Sequence, residues 1–285
     1  MNKIKFFSAI GLFGLFAIAN VEAAQVKVTI TNNASAGGVA LTPVWVGFHN
    51  GSFDSYDSGV AASSQLESLA EDGNSSALSA TFSSDGTLVA TAKAASGNRV
   101  QGSIGSAPIT AGSSVSAIFD LSGGMSNQYF SYASMVLPSN DYFIANENPL
   151  AHNLADLFSN GGSFSFNIGV NGSINDAGTE INDFTTSAGN GLFAGLPPMQ
   201  GGPNMGADEN GVVHNVSNPY ADFLNIPANF DLAAFDFNSS TLYPNGLATV
   251  TISAVPLPAT FWFMTSGLVG LVSFSRKKYQ LKAEV

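Results

Sequence analysis

The stretch Val26-Lys27-Val28-Thr29-Ile30-Thr31 alternates apolar and polar side chains at every step. Successive side chains of a β-strand point to opposite faces, so this period of two is typical of a strand with one buried face. Four further segments show the same alternation and are spread along the chain: residues 44–48, 115–121, 164–170 and 248–254. The sequence therefore predicts an all-β fold, an antiparallel sandwich or barrel of short strands.

One helix and one long loop are expected to interrupt these strands. Ser64-Gln65-Leu66-Glu67 has the spacing of a capping box, and Leu66, Leu69 and Ala70 would share one face of the helix that follows. Residues 187–219 are rich in glycine, proline and asparagine. We expect them to form an irregular surface loop, because loops of this length are functional or mobile in compact domains.

The charges are unevenly distributed along the chain, which has a net charge of −11. Residues 24–254 keep eighteen of the twenty acidic residues but only Lys27, Lys93 and Arg99 among the basic ones, which gives this body about −15. Cationic side chains supply most of the attraction to nucleic acids and anionic membranes. We therefore expect no nucleic acid partner. The balance suits a solvated, secreted protein or one that binds divalent cations.

The N-terminus has the features of a secretory signal peptide. Lys3 and Lys5 precede an apolar run from Phe6 to Ala19, and Val21-Glu22-Ala23 places small residues at the −3 and −1 positions of a cleavage site. Residues 1–23 are therefore predicted to be removed on export. The chain contains no cysteine, so the exported body would fold without disulfides.

The C-terminal tail of residues 255–285 begins with Val255-Pro256-Leu257-Pro258, and its apolar run stops at Arg276-Lys277-Lys278. A helix rises about 1.5 Å per residue, so the uncharged residues 257–275 would span a hydrocarbon core of about 30 Å. The basic triplet would hold that end on the cytoplasmic side. The sequence thus predicts a transmembrane helix in the tail.

This order of prolines, apolar helix and basic cluster resembles the PEP-CTERM sorting signal of Gram-negative bacteria, with Leu257 where that motif usually has glutamate. The resemblance implies an exosortase that recognises the tail and removes the helix. The body would then pass from an inner-membrane intermediate to the cell surface or the extracellular matrix. Because the tripeptide departs from Pro-Glu-Pro, a plain single-pass membrane anchor is the alternative.

Three motifs in the body resemble the spondin domain, the module of F-spondin and mindin. The first runs from Pro43-Val44-Trp45-Val46-Gly47-Phe48-His49-Asn50-Gly51 to Leu69-Ala70-Glu71-Asp72-Gly73. The others are Ser134-Met135-Val136-Leu137-Pro138-Ser139-Asn140-Asp141-Tyr142-Phe143 and Asp176-Ala177-Gly178-Thr179-Glu180. They follow the family's order within roughly residues 25–253. The resemblance implies a β-sandwich of C2-like architecture, with a calcium ion bound by loops at one edge.

The calcium ligands of that family correspond to Asp141, Asp176 and Glu180. Calcium takes about six to eight oxygen ligands, including carboxylates, and Gly178 permits the left-handed backbone that a folded-back loop often needs. Glu180 stands where aspartate is usual, so its longer side chain must retract or bind in another mode. Without the resemblance, these carboxylates would equally suit turns in which they accept hydrogen bonds from backbone N–H groups.

No catalytic motif is evident in the sequence. It contains no His-Glu-x-x-His zinc motif, no Gly-x-Ser-x-Gly elbow and no Walker loop, and we expect His49 to be a structural imidazole. The spondin resemblance implies adhesion or recognition, and with it we expect a non-enzymatic adhesion or matrix protein that binds an extracellular polysaccharide or a surface protein. The alternative is a secreted hydrolase with distant Ser, His and Asp residues, anchored by a single transmembrane helix.

Overall fold

A computed structural model of the protein describes residues 25–89, 99–121, 124–170, 174–187, 189, 191–193, 196 and 205–255. The predicted signal peptide lies outside these residues. So does the whole tail except Val255, including the predicted membrane helix and the basic triplet. Within the described residues, no helix is both long enough and apolar enough to span a bilayer.

The described chain is mainly β-structure with a few short helices. In chain order, its elements are β1 (Gln25–Asn32), β2 (Ala40–Leu41), β3 (Val44–His49), α1 (Ser64–Asp72), α2 (Ser76–Ser83), β4 (Val100–Ile104), β5 (Ser114–Asp120), β6 (Tyr129–Leu137), β7 (Tyr142–Ala145), α3 (Ala155–Asn160), β8 (Ser163–Ile168), β9 (Asn175–Asp176), β10 (His214–Asn215) and β11 (Ala248–Ala254). Short 3₁₀ helices also occur at Gly124–Asn127 and Leu232–Phe235. The five alternating segments of the sequence are β1, β3, β5, β8 and β11, which confirms the prediction of a mainly antiparallel β fold.

The strands form two antiparallel sheets. The smaller sheet has the order β5-β1-β11-β8, and the larger has the order β10-β9-β7-β6-β3-β4, with β2 paired to β6 beside this path. In the smaller sheet β1 lies next to β11, so that Val26 is opposite Ala254 and Asn32 is opposite Ala248.

Side chains from both sheets meet in one hydrophobic core. Val26, Val28 and Ile30 of β1 are fully buried in the same cluster as Val46 and Phe48 of β3. The alternate side chains in the first part of β1 are exposed or half-buried, as the alternation of the sequence predicts. Fully burying an apolar side chain of this size contributes about 1.5–3 kcal/mol, so this core holds the two sheets together.

The larger sheet is also buried on its other face, where α1 and α2 cover it. Trp45 of β3 contacts Phe53 and Phe82, with ring centroids 5.3 and 5.1 Å away, and Leu66 and Leu78 of the two helices join the same cluster. Every residue of β3 is buried. The prediction of a half-buried strand is therefore wrong for β3, because the helices form a further layer over the sheet.

The predicted helix is α1, which begins one residue earlier than the capping box indicates. The Ser63 hydroxyl caps it by accepting a hydrogen bond from the Leu66 N–H at 3.3 Å. The helix ends at Gly73, whose φ of 65° turns the chain so that the N–H of Asn74 donates to the Ser68 carbonyl at 3.2 Å. Glu71 is buried together with the apolar face, which the sequence pattern did not indicate.

The long loop of residues 187–219 is described only in part. In the described part, β10 pairs with β9, and Val213 and Val216 are buried. The Val213 N–H donates to the Val60 carbonyl at 2.9 Å. The prediction of an irregular surface loop is therefore wrong around β10, which forms the last strand at this edge of the larger sheet.

Gly47 allows the tight packing beneath the helices. A Cβ at this position would lie 2.6 Å from Cη2 of Trp45 and 2.8 Å from the ring of Phe82. We expect Gly47→Ala to lower the free energy of unfolding by about 1–3 kcal/mol, the usual effect of overpacking. Guanidinium unfolding with an unchanged m value would measure the loss.

The matched control is Ser103→Ala on β4, since Ser103 is exposed and lies opposite Trp45 in the sheet. This substitution should change the free energy of unfolding by no more than about 0.5 kcal/mol. Equal losses in the two variants would contradict the close packing around Gly47.

Candidate functional site

The adjacent strands β7 and β9 bring Asp141 and Asp176 to one end of the larger sheet. Asp141 immediately precedes β7, whose first residue, Tyr142, pairs with Asp176. Glu180 follows after a turn in which Gly178 has a φ of 66°. A Cβ at Gly178 would lie 2.7 Å from the backbone of the segment before β10, so only glycine fits this turn.

Asp141 holds this turn against the start of β7. The carboxylate is fully buried, and its Oδ2 accepts hydrogen bonds from the N–H groups of Thr179 and Glu180 at 2.9 and 3.2 Å. The Thr179 hydroxyl lies 3.2 Å from the same oxygen. Oδ1 is buried without a hydrogen-bond partner. One oxygen of Asp141 therefore organises the turn, while the other has no structural role there.

Asp176 shares the site with Asp141. Its Oδ1 accepts a hydrogen bond from the Gly178 N–H, and its Oδ2 accepts one from the Asn182 amide, both at 2.7 Å. Nε2 of the exposed His214 lies 4.0 Å from Oδ2. Burial and the neighbouring charge of Asp176 raise the pKa of Asp141 well above its usual value. A bound proton or cation would relieve this crowding of negative charge.

Glu180 is also buried, but its carboxylate has other partners. Oε1 accepts a hydrogen bond from the Gly206 N–H at 2.9 Å, and Oε2 lies 3.4 Å from the Asn140 amide nitrogen. A Cβ at Gly206 would collide with this carboxylate. The longer side chain of Glu180 thus anchors the segment that leads towards β10.

The structure brings Asp141 and Asp176 together as the sequence predicts, and Glu180 lies next to them. These carboxylates alone do not complete the predicted calcium site. In the part of the chain that the structure describes, no three His, Asp or Glu side chains are grouped so as to hold a metal ion. Any cation here would have to use hydroxyl, carbonyl or water oxygens as well, which calcium accepts readily.

A fourth buried carboxylate, Glu71, lies beside the same turn. It belongs to the last turn of α1, is 1 % exposed, and its Oε2 has no hydrogen-bond partner. Burial raises the pKa of Glu71 to about 7, while a hydrogen bond with the Thr179 side chain lowers it and the charge of Glu180 raises it further. We refer to Glu71, Asp141, Asp176 and Glu180 as the carboxylate cluster. The spondin-like motifs include Glu71, but a glutamate beside a helix end usually lies in solvent, so its burial could not be predicted from the sequence.

His49 contacts a serine, but not as a catalytic base would. Its Nε2 lies 2.9 Å from the Ser131 hydroxyl, and its Nδ1 accepts the Gly51 N–H at 3.0 Å. Because Nδ1 is an acceptor, the ring proton of neutral His49 is on Nε2 and is donated to the serine. Both side chains are fully buried, and burial followed by the charge of Arg99 lowers the pKa of His49 to about 3. These contacts join the end of β3 to β6 and to the loop that follows β3, which is the arrangement expected of a structural imidazole.

No protein-family model matches this chain, and no curated protein matches it either.

Glu71 should make the protein less stable as the pH rises. Its folded-state pKa of about 7 lies above the ordinary value of 4.5, so the folded protein holds a proton that the unfolded chain has released. The resulting stabilisation is complete below pH 4.5 and is lost as the pH rises through about 7, with a slope of at most about 1.4 kcal/mol per pH unit. Glu71→Gln cannot titrate, so it should lack this contribution.

The measurement is the difference in unfolding free energy between the two proteins, in chelator, from pH 4 to pH 8. Burial lowers the pKa values of His49 and His152, so these two residues destabilise the fold as the pH falls. Their contribution is the same in both proteins and cancels in the difference. Glu67→Gln, one turn earlier on α1, serves as the control. Parallel stability curves for the wild type and Glu71→Gln would contradict the buried position of this carboxyl group.

Proposed function

We propose that the chain is an exported, non-enzymatic adhesion or matrix protein, a spondin-like β-sandwich of C2-like architecture braced by calcium at the carboxylate cluster. The observation that carries this proposal is the buried, unpartnered Oδ1 of Asp141 beside Asp176. A turn needs only the N–H contacts that Oδ2 already makes. An additional buried oxygen with a negative neighbour favours a cation as its partner.

The residues present fit calcium in part. Asp141 and Asp176 supply carboxylate oxygens from two adjacent strands, and carbonyl groups of the turn after β9 can add neutral ones. Glu180 would contribute a ligand only by giving up its hydrogen bond from Gly206. We therefore assign Asp141 and Asp176 as the principal ligands and Glu180 as a supporting group. Bound calcium would neutralise negative charge and hold β7 to the turn after β9.

An adhesive role is supported by the surface around the cluster. Exposed apolar side chains lie on the loops next to it: Ile181, Met205, Val212 and Leu224. Contiguous apolar surface marks interaction sites in soluble proteins. We propose that these four side chains form such a surface, which favours a surface protein over a hydroxyl-rich polysaccharide as the partner. His49 and Ser131 do not support the hydrolase alternative, because both side chains are buried and the imidazole of His49 donates its proton to the serine hydroxyl.

Processing by an exosortase is supported by where the folded body ends. β11 closes at Ala254, and the Val255 N–H still donates to the Gln25 carbonyl at 2.9 Å. The Pro256-Leu257-Pro258 tripeptide follows directly. Removal of the tail after this point would leave both sheets intact, and the body could then be released from an inner-membrane intermediate to the cell surface or matrix.

Calcium should raise the melting temperature of the secreted protein without being required for its fold. Extracellular calcium modules bind with dissociation constants of about 10⁻⁴–10⁻³ M, and saturation at 100 times that constant adds about 2.7 kcal/mol. Each kcal/mol shifts the melting temperature of a domain of this size by about 2–4 °C. Scanning calorimetry with calcium and with chelator measures the shift.

Asp176→Asn should remove most of this shift, because it takes one charged ligand from the site. Asp156→Asn should keep it, because Asp156 is an exposed residue of α3 and the substitution makes the same change in charge. Coincident melting curves of the wild-type protein in calcium and in chelator would rule out the calcium brace.

Neutralising Arg276-Lys277-Lys278 should impair maturation if an exosortase processes the tail. Without the basic end, the apolar segment loses the charge that retains it in the membrane, so the precursor should accumulate or be exported uncleaved. Mass spectrometry of the secreted and membrane-bound forms would detect this. A normal mature mass and yield from the variant would contradict the sorting proposal.

A further inference from the structure

Burying the carboxyl group of Glu71 costs free energy, and the apolar packing of α1 does not require this group to be buried. The helix buries Leu66, Leu69 and Ala70 beneath it, and the side chain of Glu71 is buried with them. Its Oε2 contacts neither solvent nor a hydrogen-bond donor. An ionised carboxylate in such a position costs several kcal/mol unless a charge or a proton accompanies it. The location therefore calls for a positive partner.

The Thr179 hydroxyl links Glu71 to the calcium ligand Asp141. It lies 3.2 Å from Oδ2 of Asp141, and it is near enough to the Glu71 side chain to lower the pKa of that group. A hydroxyl has one proton and can donate to only one of two carboxylates. One hydroxyl therefore cannot satisfy both carboxylates, and each of them has an oxygen that is buried without a partner, Oε2 of Glu71 and Oδ1 of Asp141. Two such orphaned oxygens next to one turn point to a missing ligand.

Basic side chains of the described chain do not fill this role. Lys27 is an exposed residue of β1, in the smaller sheet. Arg99 immediately precedes β4, and its side chain donates to the carbonyls of Phe82 and Gly86 and pairs with Asp85 at 3.7 Å. In the described residues, neither of these cations has an ion pair with the carboxylate cluster.

We propose that Glu71 is a further acidic residue of the cation site, so that a divalent cation is held between the last turn of α1 and the loops that carry Asp141 and Asp176. This inference rests on the calcium proposed above and extends it to the helix layer. The cation would take Oδ1 of Asp141 and would reach Oε2 of Glu71 through a bound water, because no three acidic side chains of the described residues are grouped so as to hold the ion directly. It would tie α1 to the edge of the larger sheet, in addition to the apolar contacts beneath the helix.

Isothermal titration of the secreted protein with CaCl₂ at pH 7.5 tests this assignment. Glu71→Gln keeps the shape of the side chain and removes its charge, so calcium affinity should fall about 10- to 100-fold, as it does when groups supporting a metal site are removed. Glu67→Gln removes a carboxylate from the same helix and should leave the affinity within about twofold of the wild type.

Melting in chelator separates this loss from simple damage to the fold. Glu71→Gln should melt at the same or a higher temperature than the wild type at pH 7.5, because it removes an unpartnered buried charge, whereas a damaged variant would melt lower. If Glu71→Gln does not fold, Glu71→Asp decides the question. Its carboxylate is retracted by one methylene, so weaker calcium binding would support the proposal and unchanged binding would overturn it.

The two proposals fail in different ways. Calcium binding to the wild type with unchanged affinity in Glu71→Gln would overturn the role of Glu71 and leave the calcium brace standing. A wild-type protein that shows neither titration heat nor a melting shift with calcium would overturn both. Reduced affinity in Glu67→Gln equal to that in Glu71→Gln would also overturn the assignment, since it would reflect the charge of the helix and not a ligand position.

Discussion

Burial of the larger sheet on both faces is the constraint that places the other parts of the molecule. The smaller sheet covers one face of β3 and β6, and α1 and α2 cover the other. Protein interiors are packed as densely as organic crystals, so the helices have little freedom to shift over Trp45 and Gly47. The last turn of α1 is thereby held against the turn after β9. The position of Glu71, and with it the make-up of the carboxylate cluster, follows from apolar packing one helical turn away.

The carboxylate cluster combines two kinds of acidic side chain. Asp176 and Glu180 use their oxygens as turn-forming groups do, by accepting hydrogen bonds from Gly178, Asn182 and Gly206. Asp141 and Glu71 each retain a buried oxygen that contributes nothing to the backbone. Folding alone gives no reason to keep such oxygens, since an uncompensated buried acceptor costs about 1–3 kcal/mol and a charged one costs more. A ligand that binds after folding would supply such a reason, and the functional proposal therefore rests on the cluster and not on the fold.

The alternation of β1 predicted its one-sided burial correctly, because among the described residues its outward side chains are exposed or half-buried from Gln25 to Thr31. The same reasoning failed for β3, since the layer that buries Trp45 comes from a helix pair that follows it in the chain. The motifs placed Asp141 and Asp176 together, and the pairing of β7 with β9 agrees with them. The motifs could not predict the burial of Glu71 or the hydrogen bond from Gly206 to Glu180. Both depend on tertiary contacts with residues that are far away in sequence.

β1 and β11 lie side by side in the interior of the smaller sheet, and residues 25 and 255 are still hydrogen-bonded to each other. Both ends of the described body therefore leave it at one corner. A pull on the protein through the residues after 255 would act first on β11, which is bonded to β1 on one side and to β8 on the other. Pulling β11 out of the sheet would require its hydrogen bonds to β1 and to β8 to break at the same time. A tethered molecule would thus take mechanical load at a strand that is held on both sides, while the sheet that carries the carboxylate cluster would lie outside the path of the force.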